Sequence, residues 1–246
     1  MYGDFAAVYD RLMREVDYAA WAEHYRELLK ARGVPEGAAV LEAACGTGSL
    51  TIPLARHYQV QPSDLSPEML SVAAKKAREA GLILSFVRQD MRALSAHRPA
   101  QGLICGCDGV NYLLSKADLR RFFQSARHAL APGGVLAFDI SSFYKLSQVL
   151  GNNTHALREE DICYLWQNAW QPGSRKLSMA LSIFVRRDED NWRMIEEIQT
   201  QRAWRQEEVE AALQEAGFAD IVCFGDMSLK KPAKQAHRLH FAATRT

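Results

Sequence analysis

Residues 40–50 read Val40-Leu41-Glu42-Ala43-Ala44-Cys45-Gly46-Thr47-Gly48-Ser49-Leu50. An apolar run of strand type passes into a turn with two glycines, and the turn opens a helical pattern. Backbone must approach a ligand at such a turn. Glycines at 46 and 48 remove the side chains that would block an adenosyl group, and the following helix N-terminus offers free N–H donors to a carboxylate or phosphate. A second strand pattern at 58–62 leads to Asp64, 22 residues beyond Glu42, where a carboxylate can accept both hydroxyls of a ribose. Together these residues imply a nucleoside-containing cofactor.

The details narrow it. A dinucleotide site wants G-x-G-x-x-G to bring a helix N-terminus against a pyrophosphate, and here Thr51 occupies the third glycine's place. The phosphate-binding pattern G-x-x-x-x-G-K-[ST] does not occur.

Outward from this stretch, strand and helix alternate. Helices are expected at 49–57, 67–80 and 116–130, with Ser66 as an N-cap before Pro67. Strands are expected at 38–43, 58–62, 83–88, 103–107 and 135–140. Short connections between such elements mean a parallel sheet with helices on both faces. Two amphipathic helices precede it within residues 2–32. After 140 the period changes to two, and three antiparallel strands are expected within 162–204. A helix at 206–216, capped by Gly217, and strands at 218–224 and 237–244 close the chain. The expected organisation is an N-terminal helical segment over the cofactor site (1–36), a core of 37–150 and 206–246, and an inserted antiparallel sheet (151–205).

Composition is that of a globule: 48% hydrophobic and 24% charged residues. Thirty basic against 29 acidic residues give a formal net charge of +1, so no global field draws in a polyanion and a nucleic-acid partner is not expected. No apolar stretch approaches the roughly 20 residues of a membrane span, and no leader pattern opens the chain, so a cytoplasmic protein is expected. The five cysteines form no C-x-x-C pair, and Cys105 and Cys107, placed on one face of a strand, lack further ligands nearby; no metal site is expected. Lys230, Lys231, Lys234 and Arg238 read as a solvated basic loop.

The motif E-x-A-C-G-T-G, with its acid four residues before Gly46, resembles the first motif of class I S-adenosylmethionine-dependent methyltransferases. Asp64-Leu65-Ser66-Pro67-Glu68-Met69-Leu70 resembles that family's ribose-binding segment, and Gln89-Asp90-Met91-Arg92 its adenine-binding one. Leu130-Ala131-Pro132-Gly133-Gly134 before the fifth strand is similar to the family as well. The resemblance implies a Rossmann-like α/β fold: a seven-stranded, mostly parallel sheet with an inserted antiparallel β lid. It implies S-adenosyl-L-methionine as cofactor and S-adenosyl-L-homocysteine as product. It places Glu42, Ala44, Cys45, Gly46 and Gly48 around the amino-acid end of the cofactor, although the family more often has glycine at 44. It places Asp64 on the ribose, Leu65 and Met69 on the adenine ring, and Asp90 and the Met91 N–H on the adenine edge. Cys107 to Leu113 would hold the methyl-transfer site, with Cys107 against the cofactor and Asp108 and Tyr112 as catalytic candidates; relatives carry His where Tyr112 stands.

Phe5-Ala6-Ala7-Val8-Tyr9-Asp10 and Tyr18-Ala19-Ala20-Trp21 are similar to bacterial small-molecule methyltransferases, including amino-sugar N,N-dimethyltransferases. Those enzymes close N-terminal aromatics over the cofactor, so Tyr9, Tyr18 and Trp21 become candidates for contacting its sulfonium or carboxylate, since aromatic faces attract cations. Their helical spacing equally suits core packing, and Asp108, Asn111 and Tyr112 equally suit a turn. The expected acceptor is a small molecule methylated on N or O. An RNA or protein acceptor is the second reading, and a non-catalytic adenosyl-binding module the third. The aromatic insert is expected to cap the pocket or to form a homodimer surface.

Overall fold

A computed structural model describes residues 3–246. The central sheet is built from β1 (Ala39–Ala43), β2 (Gln59–Asp64), β3 (Val87–Arg88), β4 (Ala100–Cys105), β5 (Leu130–Ser141), β10 (Phe218–Gly225) and β11 (Arg238–Arg245), in the order β10-β11-β5-β4-β1-β2-β3. Strand β1 pairs in parallel with both β2 and β4, and β4 with β5, while β11 runs antiparallel against β5 and β10. The order reverses between β1 and β4. At such a switch point the connections leave in opposite directions and open a crevice at the carboxyl ends of the strands.

Period-2 alternation on the central strands divides the core between two faces. Leu41, Ala43, Leu103, Cys105, Leu136 and Phe138 pack with Phe122 and Phe123 of α5 (Lys116–Ala129) and Val209 and Leu213 of α6 (Gln206–Glu215). Val40, Ile104, Val135 and Ala137 pack with Tyr25, Leu28 and Leu29 of α2 (Tyr18–Lys30) and Leu54 of α3 (Thr51–Leu54). A near-continuous apolar β4 follows from this double burial.

The insert forms its own antiparallel sheet, β6 (Thr154–Arg158), β7 (Ile162–Gln171), β8 (Lys176–Arg186) and β9 (Trp192–Arg202). Ile162, Leu177, Met179, Ile183 and Ile195 line one face and pack with Phe5, Ala6 and Val8 of α1 (Gly3–Leu12) and with Met69 of α4 (Pro67–Glu79). The sheet has four strands where the alternation predicts three. Strand β6 was illegible because Thr154-His155-Ala156-Leu157-Arg158 is an edge with little apolar content, ordered by its ladder to β7.

Other boundaries differ for local reasons. The helix expected at 49–57 is only α3, because its end tightens into short-range turns, Arg56 N–H to Pro53 O and His57 N–H to Leu54 O. The strand expected at 83–88 shrinks to Val87–Arg88, with Ile83 fully exposed. Strand β5 begins at Leu130 rather than after the glycines, Gly133 taking a left-handed φ of +75° within it. Cys105 and Cys107 do not share a strand face: β4 ends at Cys105, and Cys107 turns left-handed at φ 54°.

Asn111 fastens the insert to the core. Its Oδ1 accepts the Ser141 N–H at 2.8 Å, and its Nδ2 donates to Ser141 O at 3.1 Å and Arg202 O at 2.9 Å. The side chain is wholly buried, so Asn111→Ala would strand three backbone groups of β5 and β9. At roughly 1–3 kcal/mol for each unsatisfied buried group, the variant is expected to lose about 3 kcal/mol or more of stability. Chemical denaturation measures this; a loss under about 1 kcal/mol would exclude a clamp.

Candidate functional site

The chain leaves β1 through backbone that L-residues rarely adopt. Ala44, Gly46 and Gly48 have φ of 55°, 55° and 74°. Left-handed geometry costs a non-glycine residue roughly 1–2 kcal/mol, which gives a physical reason why glycine is the commoner choice at 44. A Cβ at Gly48 would come within 3.0 Å of Ala73 Cβ, so this glycine lets α4 close on the loop. A Cβ at Gly46 would meet open space, marking the side from which a ligand can reach the loop.

Two acids frame that loop. Asp64 Oδ2 accepts the Gly46 N–H and Oδ1 the Ser66 N–H, both at 2.9 Å, so the second strand holds the glycine turn in place. Burial raises the Asp64 carboxyl above its ordinary value, against the pull of those N–H groups. Glu42 is 1% exposed and its Oε2 has no hydrogen-bond partner among the described residues. Burial pushes its carboxyl up to about 8, the Thr51 hydroxyl working against it and the charge of Asp64 adding to it.

Helix α1 is strapped across the loop by a residue the sequence reading passed over. Asp10 Oδ1 accepts the hydroxyls of Thr47 at 2.6 Å and Ser49 at 3.1 Å, and its Oδ2 takes Lys76 Nζ at 2.6 Å. The same helix and the turn after it reach the turn between β6 and β7: Arg11 of α1 meets Asp161 at 2.7 Å, and Arg14, past the helix end, meets Glu159, at 2.8 Å for one of two contacts. The only available signal for Asp10 was an acid directly after Tyr9 in an otherwise apolar helical run.

Over the crevice, Tyr9 stands near Tyr18, Tyr112, Cys107 and Asp108, and burial holds its hydroxyl well above the ordinary range. Tyr18 is raised by burial as well. Trp21 faces the other way: its ring lies 4.8 Å from the Arg238 guanidinium and 5.4 Å from His240. Leu65 is 55% exposed and offers an apolar face beside Asp64, whereas Met69 at 2% exposed packs with Phe5, Ala6 and Val8 of α1. Asp90 caps the short turn of Met91–Ala93, accepting the Arg92 N–H at 2.9 Å, and is forked by the Arg92 guanidinium. Cys45 is buried in the loop, its thiol 3.8 Å from Gly46 O.

At the end of β4, Cys107 and Asp108 are both left-handed, with φ of 54° and 55°. Asp108 Oδ2 accepts Gln201 Nε2 of β9 at 2.6 Å, and its Oδ1 accepts Arg238 Nη1 at 2.9 Å. The Tyr112 hydroxyl donates to Gln199 Oε1, also of β9, at 2.6 Å. Arg238 therefore does not belong to a solvated basic loop. It lies inside, because the turn after β10 returns the chain to β5 and carries the first residue of β11 under the crevice.

A methyltransferase-domain family model matches residues 40–134, the span from β1 through β5's first residues. Bacillus subtilis YqeM, named for a methyltransferase, is 36% identical over 250 residues, covering this whole chain and 98% of that one. The chain belongs to the class I S-adenosylmethionine-dependent methyltransferases. The crystal structure of an S-adenosylmethionine-dependent methyltransferase from Clostridium acetobutylicum superposes with a TM-score of 0.88 at 34% identity, covering 99% and 98% of the two chains. A dTDP-amino-sugar N,N-dimethyltransferase of Saccharopolyspora spinosa is 31% identical over 139 residues, 55% of this chain and 54% of that enzyme.

Two buried groups of this methyltransferase set opposite limits on its stability with pH. Glu42, held at about 8 when folded, binds a proton more tightly folded than unfolded, so stability falls as pH rises from about 4.5 to 8. His240 is pushed down to about 2, by burial first and His24 second, so stability falls as pH drops below about 6.5. Melting curves without cofactor are expected to separate the two: Glu42→Gln removes the alkaline decline, and His240→Phe the acid one. Identical pH dependence in wild type and Glu42→Gln would show that Glu42 is ionised throughout.

Proposed function

We infer that this chain transfers the methyl group of S-adenosylmethionine to a nitrogen or oxygen of a small molecule held between the end of β4 and the four-stranded sheet. The observation that carries this reading is the roof: Gln199 and Gln201 of β9 reach Tyr112 and Asp108, the two residues at the expected transfer site. A long acceptor such as RNA needs an open, basic approach. The similarity to an amino-sugar dimethyltransferase supports the same class of acceptor.

The residues present fit the cofactor. Asp64 keeps lone pairs for the ribose hydroxyls beyond its two N–H bonds, the open side of Gly46 admits the amino-acid end, and Leu65 presents an apolar face for adenine. The buried Glu42 carboxyl, pushed up to about 8 without cofactor, would be drawn to its ionised form by the cofactor's ammonium and would then supply the opposite charge behind the loop. Ala44, Cys45 and Gly48 shape the backbone there, Asp90 and Met91 flank the adenine edge, and Cys107 abuts the sulfonium end. Tyr9 and Tyr18 cover the site from the N-terminal helices; Trp21 contributes by holding Arg238.

The bound sulfonium supplies an already activated methyl group. The protein's task is then alignment and exclusion of water. Tyr9, Tyr18 and β9 close the crevice around Asp108. With donors on both carboxylate oxygens, Asp108 is oriented and can receive an acceptor's N–H or O–H, and Tyr112 is oriented through Gln199.

Asp64→Ala should remove two charge-assisted bonds to ribose, each about 1.5–3 kcal/mol, and weaken S-adenosylmethionine binding at least about tenfold by calorimetry. With methyl-labelled cofactor, wild type is expected to label components of a desalted small-molecule cell extract and to leave bulk tRNA and rRNA unlabelled. Unchanged cofactor affinity in the folded variant would remove Asp64 from the site. Label in RNA, with binding that falls steeply as salt is raised, would replace the small-molecule reading.

A further inference from the structure

Beneath the proposed transfer site, three charged side chains from separate segments converge. Asp139 of β5 has no exposed surface. Its Oδ1 accepts the Tyr25 hydroxyl at 2.7 Å, and its Oδ2 accepts both the Asp108 N–H at 2.9 Å and Arg238 Nη1. The same Nη1 bonds Asp108 Oδ1, and the Trp21 ring covers the guanidinium. One cation thus bridges two carboxylates, leaving one net negative charge. Arg238 has only 16% of its side chain exposed, so the bridge works out of reach of bulk water.

We propose that Arg238 is a positioning residue for methyl transfer: by bridging Asp139 and Asp108 it lets both carboxylates occupy the floor of the site and holds Asp108 toward β9 for the acceptor's N–H or O–H. The inference rests on the small-molecule reading only for the identity of the acceptor. The bridge also explains the left-handed Cys107–Asp108 pair. Asp139 pulls on the Asp108 amide while Arg238 pulls on its carboxylate, and the two together hold a conformation that β-carbon sterics oppose.

Removing the cation leaves two acids in one buried pocket, and like charges so placed cannot both stay ionised at neutral pH. The other groups near them are Lys145 after β5, Asp226 in the turn before β11, His24 and His240, Cys107, and the phenols of Tyr9, Tyr18 and Tyr25. Lys145 does not share the bridge in the intact site: its Nζ makes no hydrogen bond among the described residues, and burial is the first cause that lowers its affinity for a proton, against the attraction of Asp108 and Asp139.

The test compares wild type, Arg238→Met and the double variant Arg238→Met/Asp139→Asn. Arg238→Met is expected to bind S-adenosylmethionine within about twofold of wild type but to transfer label to the small-molecule extract at least roughly tenfold more slowly at pH 7. Its activity should recover as pH is raised toward 9, where the shared proton leaves. The double variant, with one acid removed, should regain activity at pH 7, a rescue that a purely structural role would not give. Carboxyl-13C titration of aspartate-labelled protein needs no acceptor: one resonance in Arg238→Met should be displaced to higher pH than any in wild type. Should Arg238→Met not fold, Arg238→Gln against Arg238→Gln/Asp139→Asn carries the same comparison, since the amide keeps a donor in the pocket but no charge, with the carboxyl shift confined to the single variant.

Full activity in Arg238→Met, or no displaced carboxyl resonance and no rescue, would overturn the proposal. If wild type labels nothing in the extract while the displaced resonance is present in Arg238→Met, the acceptor class is wrong and the bridge stands.

Discussion

A carboxylate with no exposed surface stands at the centre of this methyltransferase. Burying an ion without partners costs several kcal/mol, so Asp139 is tolerable only when its donors are in place. Those donors come from α2 (Tyr25), the turn after β4 (the Asp108 N–H) and the first residue of β11 (Arg238). The helical face of the sheet, the transfer end of the crevice and the C-terminal strand must therefore dock together. A charge that would be a liability in isolation becomes a condition on the assembly of the whole site.

A second set of contacts does for the cofactor loop what Asp139 does for the transfer end. Asp10 gathers Thr47, Ser49 and Lys76 onto α1, and Arg11 of the same helix and Arg14 in the turn after it engage the turn between β6 and β7. The loop-side contacts are partly buried and gain from a lower effective dielectric, while the arginine pairs toward the insert are exposed and worth at most about 1 kcal/mol each. Helix α1 is thus held on the glycine loop by partly buried polar contacts and on the insert chiefly by the apolar packing of Phe5, Ala6 and Val8.

How much of this was legible in the sequence follows from how local each feature is. The glycine loop, Glu42, Asp64 and the Ser66–Pro67 helix start are written within 30 residues of chain, in residue types whose backbone and hydrogen-bonding preferences point one way. The count of seven strands followed from the resemblance; the strands β1, β4 and β5 at the centre of the sheet were legible because, buried on both faces, they carry apolar runs. Strand β6 was not, because an edge strand takes its shape from its neighbour. Met69 has the spacing of an adenine contact but is buried by α1, a packing partner more than 55 residues away. Arg238 was misread for the same reason from the other side: three lysines nearby in sequence coloured it as solvent-facing, and only the long return from β10 to β11 brings it under Asp108. Asp10 and Asn111 belong to the same class, since each acts by joining segments remote in sequence.

This division has a consequence for where acceptor choice is made. The family model spans 40–134, which contains the glycine loop, Asp64, Asp90 and the Asp108–Tyr112 turn, but neither Asp139, nor β9, nor Arg238. The shared span can specify a cofactor on its own, because those contacts come from contiguous backbone and two strand-end acids. Gln201 and Arg238, which bond Asp108, and Gln199, which bonds Tyr112, lie beyond it. On the proposed reading, the insert and the last strand bring the side chains that meet at Asp108, and the span covered by the family model brings the glycine loop.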